Sequence, residues 1–419
     1  MDAKIYATQI VTTLAKAGYI AYFAGGWVRD YIMQHPSDDI DIATNAPPQK
    51  ILELFPHTLL VGLSFGVVVV VMKGHQFEVS TFRKDLGYEN GRTPLAIELS
   101  EPREDALRRD FTINGMFYDP LSEQIIDFVG GQADIEKRVL RTIGNPYERF
   151  SEDRLRMIRA VRFSSRFMFT IDLETYKAIR ENATTLFPAV AVERIWQEFN
   201  KMAAFPHFDL ALINLHNLGL LSTIFPQLEK VHLTTLKERV SAFELFPKKT
   251  PTILILMELF PEASLKEQLT ICQYLKTRGL DWRLVEYTYK LREALSKEMQ
   301  GKIIDDVSWA HFYAHPHFDL SFNVIAARLS TNEARQALSQ KHAKRLHSLR
   351  VHVERIIQKK PLITAAQLQR LGIPNGKELG LLLKEAEKIA IVNQVEEAHA
   401  VIQELQRLPL WALALATKG

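Results

Sequence analysis

The stretch GGWVRDYIMQHPSDDIDIAT, Gly25 to Thr44, decides the fold. A glycine pair runs into a short helix-like segment (28–34), and DIDIA (39–43) then alternates charged and apolar residues as a strand does. Side chains two apart on a strand share a face. Asp39 and Asp41 should therefore project together while Ile40 and Ile42 turn into a core. Two such carboxylates repel unless a cation sits between them. Hard divalent cations such as Mg²⁺ take oxygen ligands, commonly one or two carboxylates plus phosphate. Taken alone, the pair reads better as two exposed charges beside a turn.

Working outward, further strands are expected at 20–24, 57–61, 67–72, 77–81, 95–100 and 124–129, with helices at 4–18 and 48–55. Gly18 stands where a helix takes a C-terminal glycine cap. This is an α/β head with a mixed sheet. After Gly144-Asn145-Pro146 the period becomes helical and stays so, with helices expected at 151–167, 191–202, 207–221 and 252–260. Segment 151–167 reads as one helix with Ser151 as its N-cap. The fold class is α+β: a mixed-sheet head followed by helical regions.

The 419 residues suffice for several domains. No apolar run approaches the ~18 residues a membrane helix needs, and the N-terminal segment does not read as a signal peptide, so a cytoplasmic, non-membrane protein is expected. The single cysteine, Cys272, excludes an internal disulfide and sits in an apolar run as a buried thiol would. The net charge of +3 says little. Its distribution says more, because cations concentrate at 108–109, 154–162 and 341–360.

Three features change the reading of the aspartate pair. Gly25 and Gly26 precede it by 12 intervening residues, with Arg29 one turn into the next helix. Glycines at a helix start let the backbone approach phosphate oxygens. Glu78, between Phe77 and Val79 on a later strand, offers a third carboxylate. RRDFTIN (108–114) brings guanidinium, carboxylate and amide together; Asp110 there reads alternatively as a helix N-cap.

The arrangement of GG, DxD and hEh resembles the nucleotidyltransferases related to DNA polymerase β. With RRDFTINGM, DFVGG and SEDRLRMIRAVRF it closely resembles class II tRNA nucleotidyltransferases and bacterial poly(A) polymerases. The motifs run from about residue 20 to 200. The resemblance implies a catalytic head (1–143), a base-reading neck (144–205), a helical body (206–300) and a tRNA-binding tail (301–419). It implies that Asp39 and Asp41 hold two Mg²⁺ ions, with Glu78 as third carboxylate. Gly25, Gly26 and Arg29 would grip phosphates, and Arg109, Asp110 and Asn114 would contact the nucleotide. Substrates would be CTP, ATP and the tRNA 3′ acceptor end, with no obligatory protein partner.

Asp153 and Arg156 lie three apart and would share a helix face. One accepts hydrogen bonds and the other donates them. Cytosine and adenine present an amino donor beside a ring acceptor, whereas uracil and guanine present the reverse order. The pair can thus admit C and A and reject U and G, although an exposed ion pair has the same spacing. Arg159 and Arg162 continue the row, buttressing Arg156 or reaching phosphate. AVERI (191–195) resembles the motif bracing that region. Segment 83–94 reads as a mobile loop, resembling the one found in relatives that add the terminal A. Lys344, Arg345 and Arg350 are candidate RNA contacts, as are Gly376 and Lys377 at a helix start, where a plain interhelical turn is an equal reading. No His-Asp dipeptide occurs, so phosphohydrolase chemistry is not expected. CCA addition is the leading activity. An A-adding enzyme or a poly(A) polymerase is the alternative, and a non-catalytic RNA-binding relative is a third reading.

Overall fold

The computed structural model describes residues 2–35, 37–60, 66–89 and 93–416. The chain divides into two compact units, Met1–Lys237 and Glu238–Gly419. The first unit holds a mixed seven-stranded sheet in the order β3-β4-β5-β2-β1-β8-β9. The strands are β1 (Ala21–Ala24), β2 (Asp41–Thr44), β3 (Thr58–Leu59), β4 (Val67–Met72), β5 (His75–Thr81), β8 (Phe117–Asp119) and β9 (Gln124–Ile126). The intervening β6 (Arg83–Glu89) and β7 (Thr93–Leu99) form a separate antiparallel pair.

Within the sheet only β2 and β5 run parallel, with Ile42 opposite Val79, and every other pairing is antiparallel. The parallel pair buries Ile42, Phe77 and Val79 on its core face, while Asp41 and Glu78 stay exposed. The apolar stripe Ala7, Ile10, Val11 and Leu14 of α1 (Asp2–Lys16) packs on Phe23, Ile42, Val68 and Val79. Gly18, at φ 87°, ends that helix by letting the Tyr19 amide reach Leu14 O.

Next come α2 (Gly26–Ile32), α3 (Pro48–Leu54), α4 (Pro102–Leu107), α5 (Gly131–Glu136), α6 (Pro146–Glu152), α7 (Leu155–Phe167), α8 (Leu173–Asn182) and α9 (Val192–Ala203). Apart from a short parallel pair, Val139–Leu140 with Thr170–Ile171, the regular structure in the rest of the first unit and in the described part of the second is helical. No described helix is long and apolar enough to cross a membrane.

Several expectations need correction. Segment 151–167 is two helices, not one. Ser151 lies in the last turn of α6, whose N-cap is Asn145, its side chain accepting from the Tyr147 amide at 2.9 Å. Asp153 is extended (φ −147°, ψ 105°), and its carboxylate accepts from the Leu155 amide at 3.0 Å, breaking one helix and starting the next. Segment 83–94, read as a loop, lies largely in the antiparallel pair of β6 and β7, with residues 90–92 outside the described residues. The last strand stops at Ile126, because the Asp127 carboxylate gathers the amides of Val129, Gly130, Gly131 and Gln132 into a turn. Segment 207–221 is interrupted by Gly219 at φ 76°.

Candidate active site

The β1/β2 register sets Ala24 opposite Asp41, so the Gly25 turn lies directly against the first carboxylate. Gly25 has φ 69° and ψ −131°, a conformation open to glycine and costly to other residues. A Cβ there would stand 3.2 Å from Arg109 Nη1 and 3.8 Å from Asp41 Oδ2. Ile40 and Ile42 are 3% and 0% exposed, while Asp39 and Asp41 face solvent, so the alternation expected from DIDIA is present. Asp39 itself precedes the strand.

The Asp41 carboxyl is pushed up to about 6, first by burial, then by repulsion from Asp39 and Glu78, with Arg109 pulling the other way. The residue is open on its cavity side, so the burial is that of a carboxylate walled by protein on its remaining sides. Glu78 stands on β5 within electrostatic reach of Asp41.

Asp39 and Asp41 open onto a cavity of about 590 Å³. Gly25 and Gly26 also line it, with Arg29, Arg109, Asp110 and Asn114 from the head and Asp153, Arg156, Arg159 and Arg162 from the neck. Glu78 is not among its lining residues. Arg29 is 3% exposed, donates to Asn114 Oδ1 at 2.6 Å and pairs with Asp30 at 2.7 Å. Its guanidinium lies 4.5 Å from the Phe167 ring centre and 5.3 Å from that of Phe163. Arg108 and Arg109 share the carboxylate of Asp105, a residue 1% exposed, at 2.7 and 2.9 Å.

Asp110 does not cap a helix in the simple sense. One of its oxygens accepts from the Phe111 amide (2.8 Å) and Asn114 Nδ2 (3.1 Å), and the other pairs with Arg159 at 2.5 Å. Burial raises its pKa, but Arg159 and the Asn114 hydrogen bond more than offset this and hold it at about 2. Arg162 faces Glu198 of α9 at 3.0 Å, and burial followed by repulsion from Arg159 lowers it to about 10.

The base-reading pair is built differently from the expectation. Asp153 lies between the two helices and Arg156 in the first turn of α7, so they do not share a helix face. Asp153 is gripped by Arg194 of α9 at 2.8 and 3.3 Å, and Arg156 by Glu152 at 2.5 Å. Both still line the cavity. A carboxylate has about four lone-pair sites, so Asp153 keeps acceptor capacity beyond Arg194 and the Leu155 amide.

Sequence reasoning missed Asp105, Glu152, Phe163 and Arg166. Spacing could have signalled the first two, since Asp105–Arg108–Arg109 and Arg149–Glu152–Arg156 follow i, i+3 and i+4 rules. Phe163 and Arg166 line the cavity, and Phe163 lies under Arg29, Arg159 and Arg162.

In the second unit, Lys344 and Arg350 are exposed, the latter facing Glu354 at 3.3 Å. Arg345 pairs with Glu298 at 2.6 Å. Gly376 immediately precedes the helix Lys377–Val392.

Residues 21–141 match the family described as the poly A polymerase head domain, and residues 168–231 the probable RNA and SrmB-binding site of polymerase A. Over these two segments the chain is similar to the poly(A) polymerase family. Among its relatives, a CCA-adding enzyme of Anoxybacillus flavithermus is 41% identical over 58% of this chain and 60% of its own. One of a Geobacillus species is 45% identical over 51% and 53%. The chain thus spans about three-fifths or less of the length of these curated relatives. The solved CCA-adding enzyme of Bacillus stearothermophilus in complex with CTP superposes with a TM-score of 0.77 at 28% identity, covering 95% of this chain and 96% of that one. The Thermotoga maritima enzyme complexed with tRNA shares the family fold at TM-score 0.68 and 18% identity.

Proposed function

We propose that this protein is a template-independent tRNA nucleotidyltransferase of the cytoplasm that adds CCA to tRNA 3′ ends from CTP and ATP. The observation that carries the reading is one cavity with Asp39 and Asp41 on one wall and Asp153 with Arg156 on another. The CTP complex of the Bacillus stearothermophilus relative supports it. The division of labour proposed is a catalytic head (1–143), a base-reading neck (144–205), a body (206–300) and a tail that holds tRNA (301–419).

The donor set fits Mg²⁺. Asp39 and Asp41 are paired carboxylates; burial first, then repulsion from Asp39 and Glu78, raises Asp41 to about 6, and a bound cation would offset that repulsion. Among the described residues no group of three or more His, Cys, Asp or Glu is assembled for a metal, so the rest of the coordination falls to triphosphate and water. Bound there, two Mg²⁺ would acidify the RNA 3′-hydroxyl and neutralise the triphosphate.

The chain's own residues do the remainder. Gly25 leaves room for phosphate beside Asp41. Arg109, fixed by Asp105, and Arg29, fixed by Asp30 and Asn114, hold charge at the phosphates without reorganising. The 3′-oxygen bonds to the α-phosphorus as the bond to the β-phosphate bridge breaks, and pyrophosphate leaves. Asp153, oriented by Arg194, accepts from the amino group of C or A, and Arg156, oriented by Glu152, donates to the ring nitrogen.

The test uses tRNAs ending before CCA, after C and after CC, each with CTP, ATP or both, with lengths read on a gel. Three added nucleotides are expected from the first substrate. Growth from the CC end alone would replace the reading with A-addition, and long ladders would replace it with poly(A) synthesis. No growth from any end would leave a non-catalytic RNA-binding protein.

A further inference from the structure

In the second unit, the helices Arg350–Gln358 and Lys377–Val392 and the segment 359–364 enclose a cavity of about 470 Å³ that the nucleotide site does not use. Its floor is apolar: Ile363, Ala386, Ala390 and Ile391 are each no more than 3% exposed. Its rim is cationic, with Arg355, Lys359, Lys360 and Lys384; Glu387 also lines it, and Glu396 lies within electrostatic reach of Arg355. Glu387 in turn faces His311 at 3.4 Å.

Arg355 gives the cavity its chemistry. One guanidinium nitrogen, Nη2, donates to Nδ1 of His352, a buried imidazole that also lines the cavity. The other, Nη1, is buried and has no acceptor among the described residues. Buried polar groups are almost always hydrogen-bonded, and an exception calls for an explanation. A small-molecule site is typically a largely apolar concavity of about 300–1,000 Å³ with a few polar groups that fix orientation. An apolar floor, a surplus of cations and one unsatisfied guanidinium N–H together match a ligand with an apolar body and a planar anionic end.

We propose that this cavity binds a small amphipathic carboxylate, its chain of about eight to ten carbons on the Ile363/Ala386/Ala390/Ile391 floor and its carboxylate on Arg355 Nη1. Lys384 and Lys359 supply long-range attraction at the rim. The site is independent of the activity proposed above.

Titration calorimetry of the full-length protein with octanoate, octanol and octylammonium tests this, with melting temperature as the folding control. Octanoate saturates a single site, while octanol and octylammonium bind at least tenfold more weakly. Arg355→Met weakens octanoate at least tenfold and brings it level with octanol. Lys384→Gln, on an exposed residue that does not touch the floor, weakens it two- to threefold and keeps the proposal testable should Arg355→Met fail to fold. Absence of saturable octanoate binding, equal binding of octanol, or native affinity in either folded variant would overturn it.

Discussion

Replacing Asp110 with Asn should destabilise the wall of the nucleotide cavity by an amount the structure sets. The Asp110 side chain is 10% exposed, and its carboxyl is held at about 2 against an ordinary 3.8 by Arg159 and Asn114, in spite of burial. At ~1.4 kcal/mol per tenfold change in proton affinity, that gap makes the ionised carboxylate worth about 2 kcal/mol. A carboxylate with a depressed pKa stabilises fully above its unfolded value and loses the effect as pH falls through its folded one. The difference between wild type and Asp110→Asn should therefore be about 2 kcal/mol at pH 6 and under about 0.5 kcal/mol at pH 2.

Met157, two residues before Arg159 on α7, is fully buried and serves as the reporter. Its oxidation by peroxide across a urea series, read by mass spectrometry, gives the unfolding midpoint of that region at each pH. Adding Arg159→Met should recover part of the loss, because much of it is the cost of a stranded guanidinium. Coincident midpoints for wild type and variant at pH 6, or a gap that persists undiminished at pH 2, would refute the assignment.

Asp39→Asn with Asp41→Asn should abolish nucleotide addition while tRNA affinity in a gel-shift assay stays within threefold. Because Asp41 is held at about 6, single-turnover addition at low Mg²⁺ should fall as pH drops through 6, and raising Mg²⁺ should move that midpoint to lower pH. Gly25→Ala should slow addition at least tenfold, since φ 69° costs a side chain about 1–3 kcal/mol and the new Cβ presses on Arg109. Arg194→Met should release Asp153 and narrow the preference for CTP and ATP over UTP and GTP about tenfold, measured as a ratio of kcat/KM values.

The head was largely legible because short-range rules govern it. Alternation in DIDIA and the continuous apolar run at 67–72 mark strands, and Gly18 and Gly25 occupy the positive-φ positions that only local geometry demands. The break at Asp153 was not legible. The helical period runs unbroken through 151–167, and the interruption comes from a carboxylate shared between the Leu155 amide and Arg194, 41 residues away. The β6 strand was hidden for the opposite reason: RKDLGYE reads as a charged, glycine-containing stretch, and backbone pairing with β7 makes it a strand. The burial of Asp105 is not legible in its spacing, and only the folded chain reveals it as 1% exposed and clasped by two arginines.

Every cation lining the nucleotide cavity is an arginine, seven in all among the described residues, and none is a lysine. Crowding and burial bring Arg162 from 12.5 down to about 10, which leaves it fully charged at neutral pH. A lysine starts near 10.4, and the same depression would bring it to about 8, close enough to neutrality to lose part of its charge as the cell's pH drifts. The planar guanidinium also lies over Phe163 and Phe167, so rings as well as paired carboxylates separate neighbouring cations. The cavity thereby keeps a standing positive field that neither pH nor crowding switches off, ready for a polyanion before one arrives.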